Sequence, residues 1–260
     1  MKLTVLKDKI VDNVLCILVV TPTYNEKANL CEFVKKVLAI DVASMGLVIV
    51  DDNSPDGTGD LADQFADRNP KRISVIHRPT KLGLKTAYQC GFQYALESGA
   101  EIIVQMDADL SHSPEDIPIL VRKLETADVV IGSRYIKGGG SDKSWGFIRK
   151  CVSYFGNLYL RSIGGVNVYD GTSGFKAFRR TVLEKVDLSD FQCSGFGFQA
   201  EFTRSCLESG FVVVEHPIIF KDRIRGDSKM SLGIVFEALW KIPIYRIQRI
   251  KLILFGWLIH

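Results

Sequence analysis

Four times in its first 135 residues the chain runs through an unbroken apolar stretch and stops abruptly in a polar cluster. The runs are 14-VLCILVV-20, 46-GLVIV-50, the IIV of 101-EIIVQM-106 and the VVI of the strand-like 127-ADVVIGSRY-135, and the clusters are PTYNE, DDNSPDGT, DADLSH and GSRY. A short continuous apolar run is the pattern of a strand covered on both faces. A fifth strand-like run is 72-RISVIH-77. Helical stretches fill the intervals. Asn25 can cap the first, with Glu26 in its opening turn. The second opens at Thr58 or Asp60, the third runs from about Gly83 to Glu97, and a fourth is entered through Pro114. Strands alternating with helices predict βαβ units and a mainly parallel sheet covered by helices on both faces. Ligands of such sheets bind beyond the carboxyl ends of the strands, so the polar clusters should converge on one active edge.

The second half is less regular. Residues 145–162 and 196–209 read as helices, and 173-SGFKAF-178 and 211-FVVVEHPIIF-220 as strands. No linker forces a boundary inside residues 1–230, which are expected to form one domain, with 231–260 as an appendage. Six scattered cysteines make no CxxC pair and no zinc-like spacing, so buried free thiols in a reducing compartment are expected. Charges interrupt the N-terminal MKLTVLKDKIVDN where a signal peptide needs an apolar stretch.

Asp107 and Asp109, two carboxylates at i and i+2 after a buried strand, suit a hard cation and a diphosphate bridged by it. They could equally be strand-end acids ahead of the Pro114 helix. Asp51 and Asp52 occupy the matching place on the second strand, where acids accept hydrogen bonds from ribose hydroxyls or a base edge; an Asx turn is the alternative, and Asp56–Gly57 is read as turn chemistry only. Neither GxGxxG nor GxxxxGK[ST] is present, so a diphosphate would have to be neutralised by metal and side chains. Arg134, Arg149, Arg223, Arg225 and Lys229 are the candidates, Arg matching phosphate oxygens bidentately. The stretch 222-DRIRGDSKM-230 could close over a ligand or remain a solvated loop. His112 is either a ligand or acid–base group, or a turn histidine bonded to backbone. His77 and His216 have no evident partner. No nucleophile signature appears.

The net charge of +3 is bland, yet from Lys221 onward eight Lys/Arg stand against three Asp/Glu. In the segment 231–260, Lys241, Arg246, Arg249 and Lys251 interrupt the apolar character. A span needs about 20 apolar residues, so this tail is expected not to cross a bilayer by itself. It is expected to lie as a basic amphipathic helix on a membrane surface or partner, with docking against the core as the alternative.

These residues together resemble the family-2 glycosyltransferases of GT-A fold, specifically the polyprenol-phosphate (dolichol-phosphate) mannosyltransferases. The resemblance runs through PTYNE, DDNSPDGT, RPTKLGLKTAY, DADLSHSPED, GSRY, DGTSGFKAFRR, FQAEF and DRIRGDSKM, over about residues 18 to 235. It implies an inverting transfer of mannose from GDP-mannose to dolichyl or polyprenyl phosphate with Mg2+ or Mn2+. By position, Pro22, Tyr24, Glu26, Val50, Asp51 and Asp52 would line the nucleotide pocket, with Ala108 beside the metal and diphosphate carboxylates Asp107 and Asp109. Ser111 would stand where some relatives place a metal-binding Gln. Arg134, Arg149 and Ser153 would receive the lipid phosphate, and Arg223 and Lys229 would neutralise the leaving diphosphate. Lys85 departs from the GLG of many relatives. The resemblance also implies a peripheral enzyme on the cytoplasmic face of a membrane (the endoplasmic reticulum in a eukaryote), working in protein glycosylation, possible small membrane-anchoring subunits, and no nucleic-acid partner.

A phosphate monoester is already anionic at neutral pH, so little general-base help is needed, which agrees with a site rich in Arg and acids. Three other readings stand beside this one. They are glucose or N-acetylglucosamine transfer to the same lipid, a non-catalytic sugar-nucleotide-binding subunit, and a nucleotidyltransferase, which the missing Gly-rich loop disfavours.

Overall fold

The structure is a computed structural model and describes residues 16–42, 44–142, 145–193 and 196–222. Among these residues the chain alternates as the apolar runs require: β1 (Ile17–Thr23), α1 (Lys27–Leu38), β2 (Met45–Asp51), α2 (Thr58–Arg68), β3 (Ile73–His77), α3 (Leu84–Glu97) and β4 (Ile102–Gln105). A 3-10 turn at Pro114–Asp116 leads into α4 (Ile117–Lys123) and β5 (Val129–Ser133). Then follow β6 (Gly140–Ser141), α5 (Phe147–Ser162), β7 (Lys176–Arg179), α6 (Arg180–Lys185), α7 (Phe196–Glu208), β8 (Val213–Pro217) and β9 (Ile219–Phe220).

The described strands form a seven-stranded sheet in the order β3-β2-β1-β4-β7-β5-β8, with β6 and β9 pairing separately. β7 runs antiparallel to both β4 and β5, and the other pairings are parallel. Successive residues of each strand feed opposite layers. Leu18, Val20, Val48, Val50 and Phe178 pack under α3 and α7, whereas Ile17, Val19, Leu47, Ile49 and Ala177 pack under α1 and α4. This two-sided burial is why the strands read as continuous apolar runs. Gly91 lets α3 lie close on the sheet, since a Cβ there would stand 2.3 Å from Cγ1 of Val20.

Three expectations are corrected. Asn25 does not cap α1: it lies in the left-handed region (φ 57°), where its N–H reaches Ser54 Oγ at 3.0 Å, and Glu26 takes the N-cap place without a side-chain cap bond. The run 211–220 is not one strand. Pro217, which has no N–H to continue the ladder, ends β8, and Ile219 joins β6 instead. Of the six cysteines, all free, Cys193 and Cys206 are buried and the other four only partly so.

Candidate active site

β1 and its neighbours β2 and β4 make the strand order reverse between the second and fourth strands, the kind of switch point at which ligands bind in open α/β sheets. The ends of β1, β2, β4 and β5 deliver Tyr24, Asp52, Asp107 and Arg134 to this one edge.

The two aspartates after β2 divide their work. Asp51 is spent inside the turn: it accepts from Thr23 Oγ1 at 3.0 Å, Ser54 Oγ at 2.6 Å and Ser54 N at 3.0 Å. That is the Asx-turn alternative, so its carboxylate shapes the turn. Asp52 accepts from Arg78 at 2.8 Å and from the N–H groups of Leu82 and Gly83 at 3.3 and 3.1 Å. It thereby ties the KLG loop to the strand end, and Lys81 lies 3.7 Å over the ring of Tyr24. Glu26 accepts from the Asn29 amide at 2.9 Å. Asp56 is a turn residue as read: burial pushes its carboxyl up, but bonds from Thr58 and the Lys27 N–H outweigh that and hold it low. Pro22 pairs with Val50 across β1 and β2. Val50 and Ala108 turn their side chains into the core, which leaves their main-chain atoms for any ligand.

Asp107, half-buried, and Asp109, buried, stand just past β4. Leu110 follows in the left-handed region (φ 62°), bending the chain so that the Ser111 N–H reaches Asp109 Oδ1 at 3.0 Å. Among the described residues, Ser111 Oγ and His112 Nδ1 are buried without a hydrogen-bond partner. His112 packs its ring against Phe175 and Phe220; burial, only partly countered by Asp109, holds it at about 4, so it is neutral at pH 7. Its Nδ1 is therefore not the backbone-bonded nitrogen of a turn histidine. Glu115 and Asp116 belong to the 3-10 turn.

Just past β5, Arg134 is paired with Asp170. Nε and Nη2 donate to its two oxygens at 2.7 and 2.6 Å, the Arg134 N–H adds a third bond at 2.9 Å, and Nη2 also reaches Thr172. Burial would lower the guanidinium's pKa, but Asp170 outweighs it and raises it. Glu215 in turn holds the N–H groups of Tyr169 and Asp170 at 2.8 and 2.9 Å. Arg149 pairs with Asp222 at 3.2 Å and lies over Trp145. Tyr135 donates to Ser153 Oγ at 2.6 Å. Arg134, Lys150, Tyr135, Trp145, Tyr154 and Phe155 line a cavity of about 400 Å³ between the end of β5 and α5. Arg223, Arg225, Lys229 and the tail 231–260 lie outside the described residues.

The model of the Glycosyl transferase family 2 matches residues 18–187, most of the chain. The chain belongs to glycosyl transferase family 2. It is 43% identical over 232 residues to a polyprenol monophosphomannose synthase of Mycolicibacterium smegmatis, covering 89% of this chain and 87% of that one. It is 44% identical over 222 residues to an undecaprenyl-phosphate mannosyltransferase of Micrococcus luteus, covering 85% and 90%. A dolichol-phosphate mannosyltransferase of Pyrococcus furiosus is 38% identical over 240 residues, covering 89% of this chain and 63% of that one. Among solved structures, glucosyl-3-phosphoglycerate synthase from Mycobacterium tuberculosis with Mn2+, UDP-glucose and phosphoglyceric acid superposes with a TM-score of 0.60 at 18% identity over 88% and 79% of the two chains. A mannosyltransferase from Pyrobaculum calidifontis in complex with GDP-Man and Mn2+ gives 0.56 at 17% identity over 82% and 58%. These two likenesses show the fold, the α/β GT-A architecture expected from the sequence.

The family-2 site has a donor set that fits a divalent cation in part. Two carboxylates and a buried, unpartnered hydroxyl, Ser111 Oγ, cluster within one turn. Among the described residues no group of three His, Cys, Asp or Glu could hold a metal. A hard cation here would therefore complete its shell with diphosphate oxygens and water, as Mg2+ commonly does.

Four residues of this site were not legible as such. Arg78 and Asp170 hold Asp52 and Arg134. Tyr88 donates to Asp107 Oδ1 at 2.9 Å; burial first, then Asp107, raises its pKa well above the ordinary value, so it stays a protonated donor. Lys176 is fully buried and donates to Ser173 O and, at 2.7 Å, to Gln199 Oε1. Burial lowers its pKa to about 7 against the pull of Asp170. The one signal available was Lys176 alternating onto the same face of SGFKAF as Phe178. Lys85 donates to Phe191 O at 2.6 Å and so ties the start of α3 to the loop before α7. His77, which had no evident partner, meets Asp63 at 2.8 Å.

Proposed function

We propose that the chain transfers mannose from GDP-mannose to the phosphate of a polyprenol or dolichol, inverting the anomeric carbon in one displacement. The observation that carries the acceptor half is the surface beside the cavity. α5 has only Asn157 and Leu160 buried, while Phe147, Ile148 and Phe155 are 81%, 78% and 61% exposed. Apolar side chains next to Arg149, Lys150 and Arg161 suit a membrane surface, and a cavity with cations at its rim and aromatic walls suits an anionic head with an apolar tail. The polyprenol monophosphomannose and undecaprenyl-phosphate mannose transfer named in relatives 43–44% identical over the aligned residues agree with both.

The donor half follows from the opposite end of the edge. Tyr24, Glu26 and Asp52 would take the nucleoside, and Asp107 and Asp109 the diphosphate with its cation. Bound there, Mg2+ or Mn2+ would supply positive charge against the departing diphosphate. The acceptor phosphate oxygen attacks the anomeric carbon as the bond to the diphosphate breaks; no proton must be removed first, which fits a site whose buried His112 is neutral. In-line positioning and charge stabilisation carry the rate. Arg149, Ser153 and the edge of Arg134 would meet the acceptor, and Arg223 and Lys229 the leaving group. Residues 231–260 and the α5 face would rest on the cytoplasmic face of a membrane, that of the endoplasmic reticulum in a eukaryotic cell, where small anchoring subunits could add to the hold. Among the described residues no helix is long and apolar enough to cross a membrane.

The test offers the purified chain radiolabelled GDP-mannose, dolichyl or undecaprenyl phosphate and Mg2+, followed by lipid extraction. Label in the lipid is expected. No label from GDP-mannose, with label from UDP-glucose, would overturn the sugar; substrate binding without any transfer would favour a non-catalytic subunit.

A further inference from the structure

Asp107 is held from two sides by groups that lie beneath the site. From α3, the Tyr88 hydroxyl donates to Oδ1 at 2.9 Å, and its ring is itself fixed by stacking on Phe92 and Phe198. Against Oδ2 lies the main chain of Gly174: a Cβ added there would stand 3.2 Å from that oxygen. The Ser173–Gly174 loop is bolted from below. Lys176 donates to Ser173 O, Gln105 donates to Gly174 O at 3.1 Å, and both donate to Gln199 Oε1 at 2.7 and 2.6 Å.

This network is poor value if its only task is stability. Burying an ammonium is costly, and an apolar side chain of the same length would fill the space. Two of its atoms, Gln105 Oε1 and Gln199 Nε2, are buried with no partner among the described residues. What the network does fix is the geometry around one carboxylate at the mouth of the edge.

We propose that Tyr88 and Lys176 are positioning residues for Asp107, Tyr88 by setting the rotation of its carboxylate through Oδ1 and Lys176 by anchoring the Ser173–Gly174 wall behind Oδ2. The proposal deepens the reading above and rests on Asp107 facing a cation-bridged diphosphate. Groups behind a metal-binding carboxylate set its orientation, and their loss commonly lowers metal affinity or activity about 10–100-fold.

The experiment titrates Mn2+ into the full chain with GDP present, following free Mn2+ by electron paramagnetic resonance, beside steady-state transfer and thermal unfolding. Tyr88→Phe keeps the ring stack and removes only the hydroxyl. It should weaken Mn2+ binding about 10–100-fold, lower kcat, and leave both the unfolding midpoint and KM for GDP-mannose at saturating metal near the parent's. Lys176→Met should weaken Mn2+ binding in the same direction. Should that variant fail to fold, Gly174→Ala replaces it, since its methyl presses directly on Oδ2. Parent-like Mn2+ binding in Tyr88→Phe overturns the assignment for Tyr88, and parent-like binding in Lys176→Met or its Gly174→Ala substitute overturns it for the wall. A parent that binds no Mn2+ with GDP overturns both. A parent that binds Mn2+ and GDP yet labels no lipid refutes mannosyl transfer instead, and leaves the comparison of variants standing.

Discussion

Replacing Asp170 by Asn separates what Arg134 does for the fold from what it does for the acceptor. Four hydrogen bonds end on the Asp170 carboxylate: from Arg134 N and Nε on one oxygen, and from Arg134 Nη2 and Thr172 Oγ1 on the other. The Asp170 side chain is fully buried and that of Arg134 is 10% exposed. An amide in that place keeps one acceptor but turns its NH2 toward a donor and strands the guanidinium without a counter-charge. Breaking a buried pair by removing one partner costs about 3–5 kcal/mol. At roughly 2–4 °C per kcal/mol for a chain near this size, the unfolding midpoint should fall by on the order of 10 °C. The assay is thermal unfolding of parent, Asp170→Asn and the double variant Arg134→Met/Asp170→Leu, each also tested for transfer. The double variant removes both charges and should recover most of the stability. If it is stable but inactive, Arg134 serves the acceptor as well as the fold. A midpoint for Asp170→Asn within about 2 °C of the parent's would refute the buried-pair reasoning.

Other perturbations address separate links. Gly91→Ala should cost about 1–3 kcal/mol by overpacking, because its methyl would meet Val20 at 2.3 Å; urea unfolding measures this, and Val20→Ala should restore part of it. Burial holds Lys176 at about 7, below its usual 10.5. Below pH 7 the folded and unfolded chains both carry that proton and the penalty is complete; between the two values the unfolded chain binds more protons, so stability rises with pH. The parent should therefore gain on Lys176→Met as the pH is raised from 7 towards 10, and a constant difference would contradict the burial. Asp109→Ala should abolish transfer with an unchanged circular dichroism spectrum; full activity would remove the carboxylate pair from the chemistry. Phe147→Ser/Ile148→Ser should weaken flotation with vesicles of anionic phospholipid, as should deletion of residues 251–260, and unchanged partitioning of either would set that surface aside.

How much of this was open to a reader of the sequence depends on whether the signal is local. The parallel frame was legible because a strand buried on both faces must be apolar at every position, and Val19 and Val20 serve opposite layers with equal need. The convergence of the acids was legible because each stands at the end of its strand or within four residues of it. The antiparallel insertion of β7 between β4 and β5 was not: a four-residue strand says nothing about its neighbours or their direction. Partners were equally hidden. Arg134 and Asp170 are 36 residues apart, Arg78 reaches Asp52 from the end of the neighbouring strand β3, and Tyr88 meets Asp107 from a helix whose apolar pattern assigns it wholly to the core. Asp51 and Asp52 are adjacent and chemically identical, yet one closes a turn and the other holds a loop, because consecutive strand-end side chains leave on opposite sides. A sequence names the groups that can reach an edge; the pairing that decides which of them stay available to a substrate is a property of the packed layers beneath it. For that reason the sharpest functional difference in this chain lies between Arg134, already neutralised by Asp170, and Arg149, which rests on an aromatic face at the rim beside a partly exposed Asp222. The second has less to give up in receiving a phosphate, so Arg149→Ala should raise KM for the polyprenyl phosphate while leaving the unfolding midpoint in place. The reverse pattern, lost stability with unchanged KM, would shift the acceptor phosphate away from α5.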